Sequence, residues 1–202
     1  MFIIPEFSFV SMKDNRMQKT LVSLFFVVIL IASTAGFVVT FRQPDNTSYN
    51  GYEFEQRDGQ WITEVETSFG TEEFSFYNHP LNLDVVVGDD ILQSIRTSPS
   101  IVLLFDPNVT DIHFVDAARF QLKQYLVNQL GKNVEHAVTT NSTLYPFPVQ
   151  QCSGEKLFII YSSGDNRTLA KEGNCITMTS YSSSDFLQYS EAIVYRLLGV
   201  IA

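Results

Sequence analysis

Apolar and polar residues follow three different patterns along the chain. The first is an unbroken run of 21 uncharged residues, from Leu21 to Phe41. At about 1.5 Å per residue, a helix of this length crosses a hydrocarbon core of ~30 Å. Lys13, Arg16 and Lys19 precede the run, and this basic excess predicts a cytoplasmic N-terminus. The predicted order is a cytoplasmic tail (1–20), a transmembrane helix through the lipid bilayer (21–41), a linker (42–50) and an extracytoplasmic domain (51–202).

A cleaved signal peptide is the alternative interpretation of the same run. Met12 and Met17 are alternative starts, and Ser33-Thr34-Ala35 offers a small-residue cleavage site before Gly36. A signal peptide does not need the apolar residues that continue to Phe41, so an uncleaved anchor is favoured. Both interpretations place the following domain outside the membrane.

The second pattern is an alternation of apolar and polar residues after residue 51, which is typical of half-buried strands. Three alternating segments begin near Tyr52, Trp61 and Glu73, and Asp58-Gly59 between the first two is a strong hairpin signal. The alternation predicts an antiparallel meander. The aromatic residues expected to face inward are Tyr52, Phe54, Trp61, Phe74 and Phe76.

The third pattern is helical periodicity mixed with short apolar runs, beginning near Asp89. Asp89 is expected to cap a short helix that ends before Pro99. The run Ile101–Phe105 is typical of a strand covered on both faces. Asp111 is expected to open a long helix that ends at Gly131, and residues 133–139 form the next strand. A strand, a helix and a strand predict a parallel βαβ unit.

Two more strands and a last helix are expected after a proline-containing loop at residues 139–149. The strands cover 156–161 and 174–179, and Ser182 with Asp185 resembles a capping box for the helix. The predicted fold class is therefore α/β. After the transmembrane helix comes one mixed-sheet domain, in which an antiparallel meander is followed by βαβ-type units.

Cys152 and Cys175 are the only cysteines, and both follow the predicted span. An even number of cysteines in an exported domain predicts a disulfide. Cys152 lies just before one predicted strand and Cys175 at the start of the other, so a bond between them favours two parallel strands. A small extra strand around Thr168–Leu169 that pairs back is the competing arrangement.

Charge and short motifs restrict the range of functions. The net charge is −9, and residues 1–20 contribute +1, so the remainder carries −10. Such an acidic domain is repelled by phosphate backbones, so nucleic-acid binding is not expected. The pattern Asn-x-Ser/Thr marks four candidate glycosylation sites: Asn46, Asn108, Asn141 and Asn166.

Asp106, Asp111 and Asp116 surround the end of one predicted strand and the start of its helix. Ligands of α/β sheets bind at such strand ends, so these carboxylates are a candidate ligand or metal site. Roles in a turn and at the start of the helix explain these residues better. The sequence contains no HxH, HExxH, GxSxG or glycine-rich phosphate loop, so no catalytic residue, metal or cofactor is assigned.

Several short segments also resemble, in the same order, a group of uncharacterised archaeal single-span membrane proteins. The resemblance implies a cell-surface address and no particular activity. The expected function is a non-enzymatic subunit or protein-binding module of a cell-envelope complex. The alternatives are a metal-assisted hydrolase using the three aspartates, or a domain that senses a small ligand. The matching segments are Asn50-Gly51-Tyr52-Glu53-Phe54, Gly59-Gln60-Trp61, Phe76-Tyr77 with Pro80, Phe105-Asp106-Pro107, Asn174-Cys175-Ile176 and Tyr195-Arg196-Leu197-Leu198-Gly199.

Overall fold

The computed structural model describes residues 19–30 and 46–201, within two compact units that divide after Pro44. The first unit contains helix α1, described over residues 19–30, whose apolar side chains are exposed. Among the described residues, no helix has the length and apolarity that crossing a membrane requires. Residues 31–41 of the expected span lie outside the described part, as do the possible cleavage site and the start of the tail. The transmembrane helix therefore stays a prediction.

The second unit begins with a four-stranded antiparallel meander in the order β1-β2-β3-β4. The predicted Asp58-Gly59 hairpin is confirmed, since both residues have the positive φ angles of a tight two-residue turn. The linker prediction for residues 42–50 is wrong over its last part, because residues 46–49 pair with β2 through a second such turn at Asn50-Gly51. The strands are β1 (Asn46–Tyr49), β2 (Tyr52–Arg57), β3 (Gln60–Thr67) and β4 (Gly70–Phe76).

One face of the meander packs on the rest of the domain, as the alternation predicts. Phe54, Val65 and Phe76 are buried in the main hydrophobic core. The other predicted inward residues, Tyr52, Trp61 and Phe74, are half-buried and pack against that core. The opposite face carries exposed glutamates such as Glu53 and Glu64.

A second, five-stranded sheet follows in the order β6-β5-β7-β9-β8. All its pairs are parallel except β8 with β9. The domain is thus a mixed α/β fold, but the prediction of one mixed sheet is wrong, because the meander and the parallel strands form separate sheets. The strands are β5 (Ser100–Phe105), β6 (Asn133–Val138), β7 (Leu157–Ser163), β8 (Thr168–Glu172) and β9 (Cys175–Ser180).

Three helices of this domain place apolar stripes in the main core: α2 (Asp89–Thr97), α3 (Ile112–Asn128) and α4 (Asp185–Leu198). The βαβ prediction is confirmed, since α3 connects the parallel strands β5 and β6. The predictions of side-chain caps for the three helices are not confirmed. Gly88 rather than Asp89 precedes α2, and the Asp111 side chain makes no cap although its backbone is left-handed. The predicted box at Ser182 is replaced by a hydrogen bond from Ser180 Oγ to the Asp185 carboxylate.

The predicted disulfide between Cys152 and Cys175 is confirmed, with the two Cα atoms 6.1 Å apart. β7 and β9 are parallel, as the bond requires. The competing short strand is also present, as β8, which forms an antiparallel hairpin with β9. The two arrangements were not exclusive, because β8 lies at the sheet edge and lets the chain return beside β7. Cys152 packs against a smaller apolar cluster on strands β5, β6 and β7.

Candidate functional site

The candidate site is a groove of about 330 Å³ between strand β4 and helix α3. β4 is the last strand of the meander, and no other strand of the described chain pairs with its outer side. Apolar rings and polar amides both line the groove. The main lining residues are Glu72, Phe74, Ser75, Tyr77, Phe120, Gln121, Gln124, Tyr125, Asn128 and Gln129. We refer to this surface as the β4–α3 groove.

The periodicity of α3 creates the groove. Val115, Ala118, Leu122 and Leu126 are fully buried, so this stripe fixes how the helix is rotated. The neighbouring flank, which carries Gln121 and the other amides, then lies along β4. Two of these amides bridge the gap. Gln121 Nε2 donates to the Ser75 carbonyl at 2.9 Å, and Gln129 Nε2 donates to the Glu72 carboxylate.

The groove presents two exposed aromatic rings and the outer edge of β4 to a partner. Phe120 is 64% exposed and Tyr77 is 48% exposed, so two aromatic rings stand open at the groove. Aromatic side chains are enriched in protein interfaces. An edge strand also presents unpaired backbone donors and acceptors, to which an extended segment of another protein can add.

A buried carboxylate holds the end of β4 next to the groove. Glu191 on α4 is fully buried. Its oxygens accept hydrogen bonds from the backbone N–H groups of Tyr77 and Asn78, at 2.5 and 3.0 Å. The side-chain amides of Asn78 and Gln121 donate to it as well. Burial raises the pKa of Glu191, although these four donors oppose the shift. Glu191 therefore fixes the β4 terminus, α3 and α4 relative to one another.

A second polar cluster lies between α3 and β6, around Arg119. This arginine is only 5% exposed, and its guanidinium carbon lies 3.7 Å from the centroid of the Phe105 ring. Arg119 Nη1 donates to His136 Nδ1 at 3.0 Å, and Nη2 donates to Asp116. Asp116 also accepts from the Tyr145 hydroxyl at 2.7 Å. The cluster thereby ties the loop after β6 to α3.

Electrostatics keeps His136 neutral in this cluster. Burial and the positive charge of Arg119 lower the pKa of His136 to about 4. Burial and the hydrogen bond to Asp116 raise the pKa of Tyr145 to about 12. Neither residue is poised to exchange a proton near neutral pH. The cluster is therefore best interpreted as a structural tie.

The structure does not bring Asp106, Asp111 and Asp116 together as a metal site. Within the described chain, no three His, Cys, Asp or Glu residues are grouped so that they could hold a metal ion. Asp106 Oδ1 accepts from the Asn108 backbone N–H at 2.9 Å, which is a local turn contact. Asp111 precedes α3 in a left-handed conformation, and Asp116 belongs to the Arg119 cluster.

The other predicted positions are distributed over the surface and the core. All four candidate glycosylation asparagines, Asn46, Asn108, Asn141 and Asn166, are exposed. Most of the meander aromatics do not form an open contact surface, because Phe54 and Trp61 pack their rings within 5 Å of the buried His79 ring. Tyr77 and Phe69 are exceptions and are exposed.

Sequence reasoning missed Gln121, Arg119 and Glu191. The residues next to them on the helices are the sequence signal that could have indicated their burial. Glu191 follows Ser190 and precedes Ala192, Ile193 and Val194, so it stands on the apolar side of its helix rather than on a polar face. A charged residue in such a position is buried and must find partners.

The fold and the groove together define a class: a disulfide-bonded α/β domain with two separate sheets and an open groove beside an edge strand. No protein-family model, curated protein or solved structure matches the chain.

Proposed function

We propose that residues 46–201 form a non-enzymatic protein-binding domain on the outer side of a cell membrane, held there by residues 21–41. The observation that carries the binding role is the β4–α3 groove. It combines an edge strand, beside which no further strand of the described chain pairs, with two exposed aromatic rings. The Cys152–Cys175 bond supports the outer location, because disulfides persist in oxidising compartments.

The proposed occupant of the groove is an extended segment of a partner protein of the cell envelope. Such a segment would pair with the free edge of β4 and place side chains against Phe120 and Tyr77. The amides of α3 suit this occupant, since an amide both donates to and accepts from a peptide backbone. Gln121 already makes one bond of this kind, to the Ser75 carbonyl, and a segment that pairs with β4 at Ser75 would replace it.

A pair of matched variants tests the proposal. Phe120→Ser removes an exposed ring from the groove, and Phe69→Ser removes a ring of similar exposure (72%) that does not line it. The tagged full chain is solubilised from the membrane that naturally carries it, and bound proteins are quantified. We expect capture of the partner to fall at least about tenfold with Phe120→Ser, as for a central interface aromatic, and to persist with Phe69→Ser.

Equal capture by both variants would overturn the groove as the binding site. Absence of any partner with the wild-type chain in several detergents would contradict the protein-binding function. Circular dichroism provides the folding control, since neither exposed ring contributes substantially to the core.

A further inference from the structure

Three of the four candidate glycosylation sites share one position in the fold. Asn108 follows β5, Asn141 follows β6 and Asn166 follows β7, each three residues after the last residue of its strand. The three strands are neighbours in the order β6-β5-β7 and are parallel. Their carboxyl ends therefore meet at a single edge of the sheet, which we call the carboxyl edge.

The side chains at this edge meet the chemical requirements of an acceptor. Each asparagine is exposed, and so is the threonine two residues later in each site: Thr110, Thr143 and Thr168. The loops after β5 and β6 are in contact, because Asn108 Nδ2 donates to Thr140 Oγ1 at 3.2 Å. All three asparagines lie in loops or turns, which tolerate bulky additions better than packed elements do.

We propose that Asn108, Asn141 and Asn166 carry N-linked oligosaccharides that together cover the carboxyl edge. The inference rests on the proposed function, because the sugars are added only to an exported domain. The donor is a lipid-linked oligosaccharide phosphate. The asparagine nitrogen forms a bond to the sugar C1, the C1–oxygen bond to phosphate breaks, the amide loses one proton and the lipid phosphate leaves. No oxidation or reduction takes place.

The three oligosaccharides would shield the carboxyl edge and leave the β4–α3 groove accessible. The carboxyl ends of strands are where open α/β sheets usually bind ligands, and three oligosaccharides there would keep large partners away. The β4–α3 groove would stay open, since no candidate asparagine lines it. Asn46, the fourth site, lies on β1, at the opposite border of the meander from β4.

Synthesis of the full chain into sealed microsomes tests the proposal, with added protease reporting export and a glycosidase reporting the number of oligosaccharides. We expect Asn108→Gln, Asn141→Gln and Asn166→Gln each to remove one oligosaccharide. The same losses are expected when the threonine of each site is replaced, in Thr110→Ala, Thr143→Ala and Thr168→Ala. Agreement between the two variants of a site shows that the loss does not result from misfolding of one of them. The matched control Ser142→Ala changes the same loop but keeps the acceptor pattern, so it should remove none.

The outcomes distinguish this inference from the proposed function. If the domain is protected from protease but the asparagine variants do not change the number of oligosaccharides, the proposal that sugars shield the carboxyl edge is wrong. The proposed outer location would still stand. Digestion of the domain outside sealed microsomes would overturn the outer location, and the inference with it.

Discussion

The two sheets of the domain bury their strands to different extents. In β5, an inner strand of the five-stranded sheet, the five residues Ile101–Phe105 are each at most 2% exposed. In the meander strand β3, Thr63 and Val65 are buried, whereas Glu64 and Glu66 are exposed. β5 is thus enclosed on both of its faces. The meander keeps one open face, and no further strand of the described chain pairs with β4 at its edge. The comparison therefore assigns stability mainly to the five-stranded sheet and the proposed binding to the meander.

The largest expected effect comes from comparing truncations in the two sheets. Leu103→Ala removes a fully buried side chain from the parallel sheet and should lower the free energy of unfolding by about 3–4 kcal/mol. Ile62→Ala, on the open face of the meander, should cost less than about 1 kcal/mol. Urea unfolding followed by circular dichroism measures both, and the single tryptophan, Trp61, reports on the meander. Equal costs would refute the assignment of stability to the parallel sheet.

Removal of the disulfide should give the next largest effect. Cys152 and Cys175 are separated by 23 residues in sequence, and closing such a loop contributes roughly 3 kcal/mol by restricting the unfolded chain. The double variant Cys152→Ser/Cys175→Ser should therefore unfold at a lower urea concentration than the oxidised protein. With a reducing agent present, the two proteins should unfold at similar concentrations. An unchanged midpoint under oxidising conditions would contradict the contribution of the bond.

Glu191 tests the contact between the meander and the helices. Glu191→Gln should cost about 2 kcal/mol, because an amide nitrogen cannot accept the hydrogen bonds from Asn78. The raised pKa of Glu191 sets the pH dependence. In the unfolded chain, Glu191 loses its proton as pH rises above its ordinary pKa of 4.5, whereas the folded state still binds the proton there. The contribution of this proton to stability is therefore lost as pH rises.

The cost of Glu191→Gln should therefore be larger at pH 4.5 than at pH 7.5. The measurement is the difference in unfolding free energy between wild type and variant at the two pH values, since the difference removes the effects of other titrating groups. A cost that grows with pH would mean that folding lowers the pKa of Glu191 and does not raise it.

His136 tests the contact between α3 and the parallel sheet, with the opposite pH dependence and a smaller effect. Its pKa is lowered to about 4, so between pH 6.5 and 4 the unfolded state binds more protons than the folded state. Its contribution to stability is therefore lost as pH falls. The stability advantage of wild type over His136→Gln should shrink by about 1 kcal/mol over this window, a figure reduced for the partial exposure of the ring. No change would contradict the neutral state of the half-buried His136.

Patterns confined to a single element could be predicted from the sequence. The continuous apolar run of β5, the stripe of α3 and the Asp58-Gly59 turn each depend on neighbouring residues, and all three are present. The disulfide was predictable because only two cysteines are available. It also indicated that β7 and β9 are parallel, through the short distance that the bond spans.

Features that depend on distant residues could not be predicted. The strand at Asn46–Tyr49 is a different case, since it contains mostly polar residues but is aligned with β2 by the adjacent Asn50-Gly51 turn, a local signal that was missed. Alternation identifies strands but does not show which strands share a sheet, so the division into two sheets was missed.

The candidate site was missed for a related reason. Gln121 belongs to a polar flank of α3 that resembles a solvent-exposed surface until β4 is placed beside it. Glu191 and Arg119 are charged residues whose burial depends on partners from other elements, at Asn78 and His136. No local pattern identifies such partners.

The outer location of the domain is the central claim, and protease treatment of intact cells that make the full chain tests it most directly. If the claim is right, protease added outside removes residues 46–201 while cytoplasmic proteins survive. If the domain is degraded only after the cells are lysed, the claim is wrong.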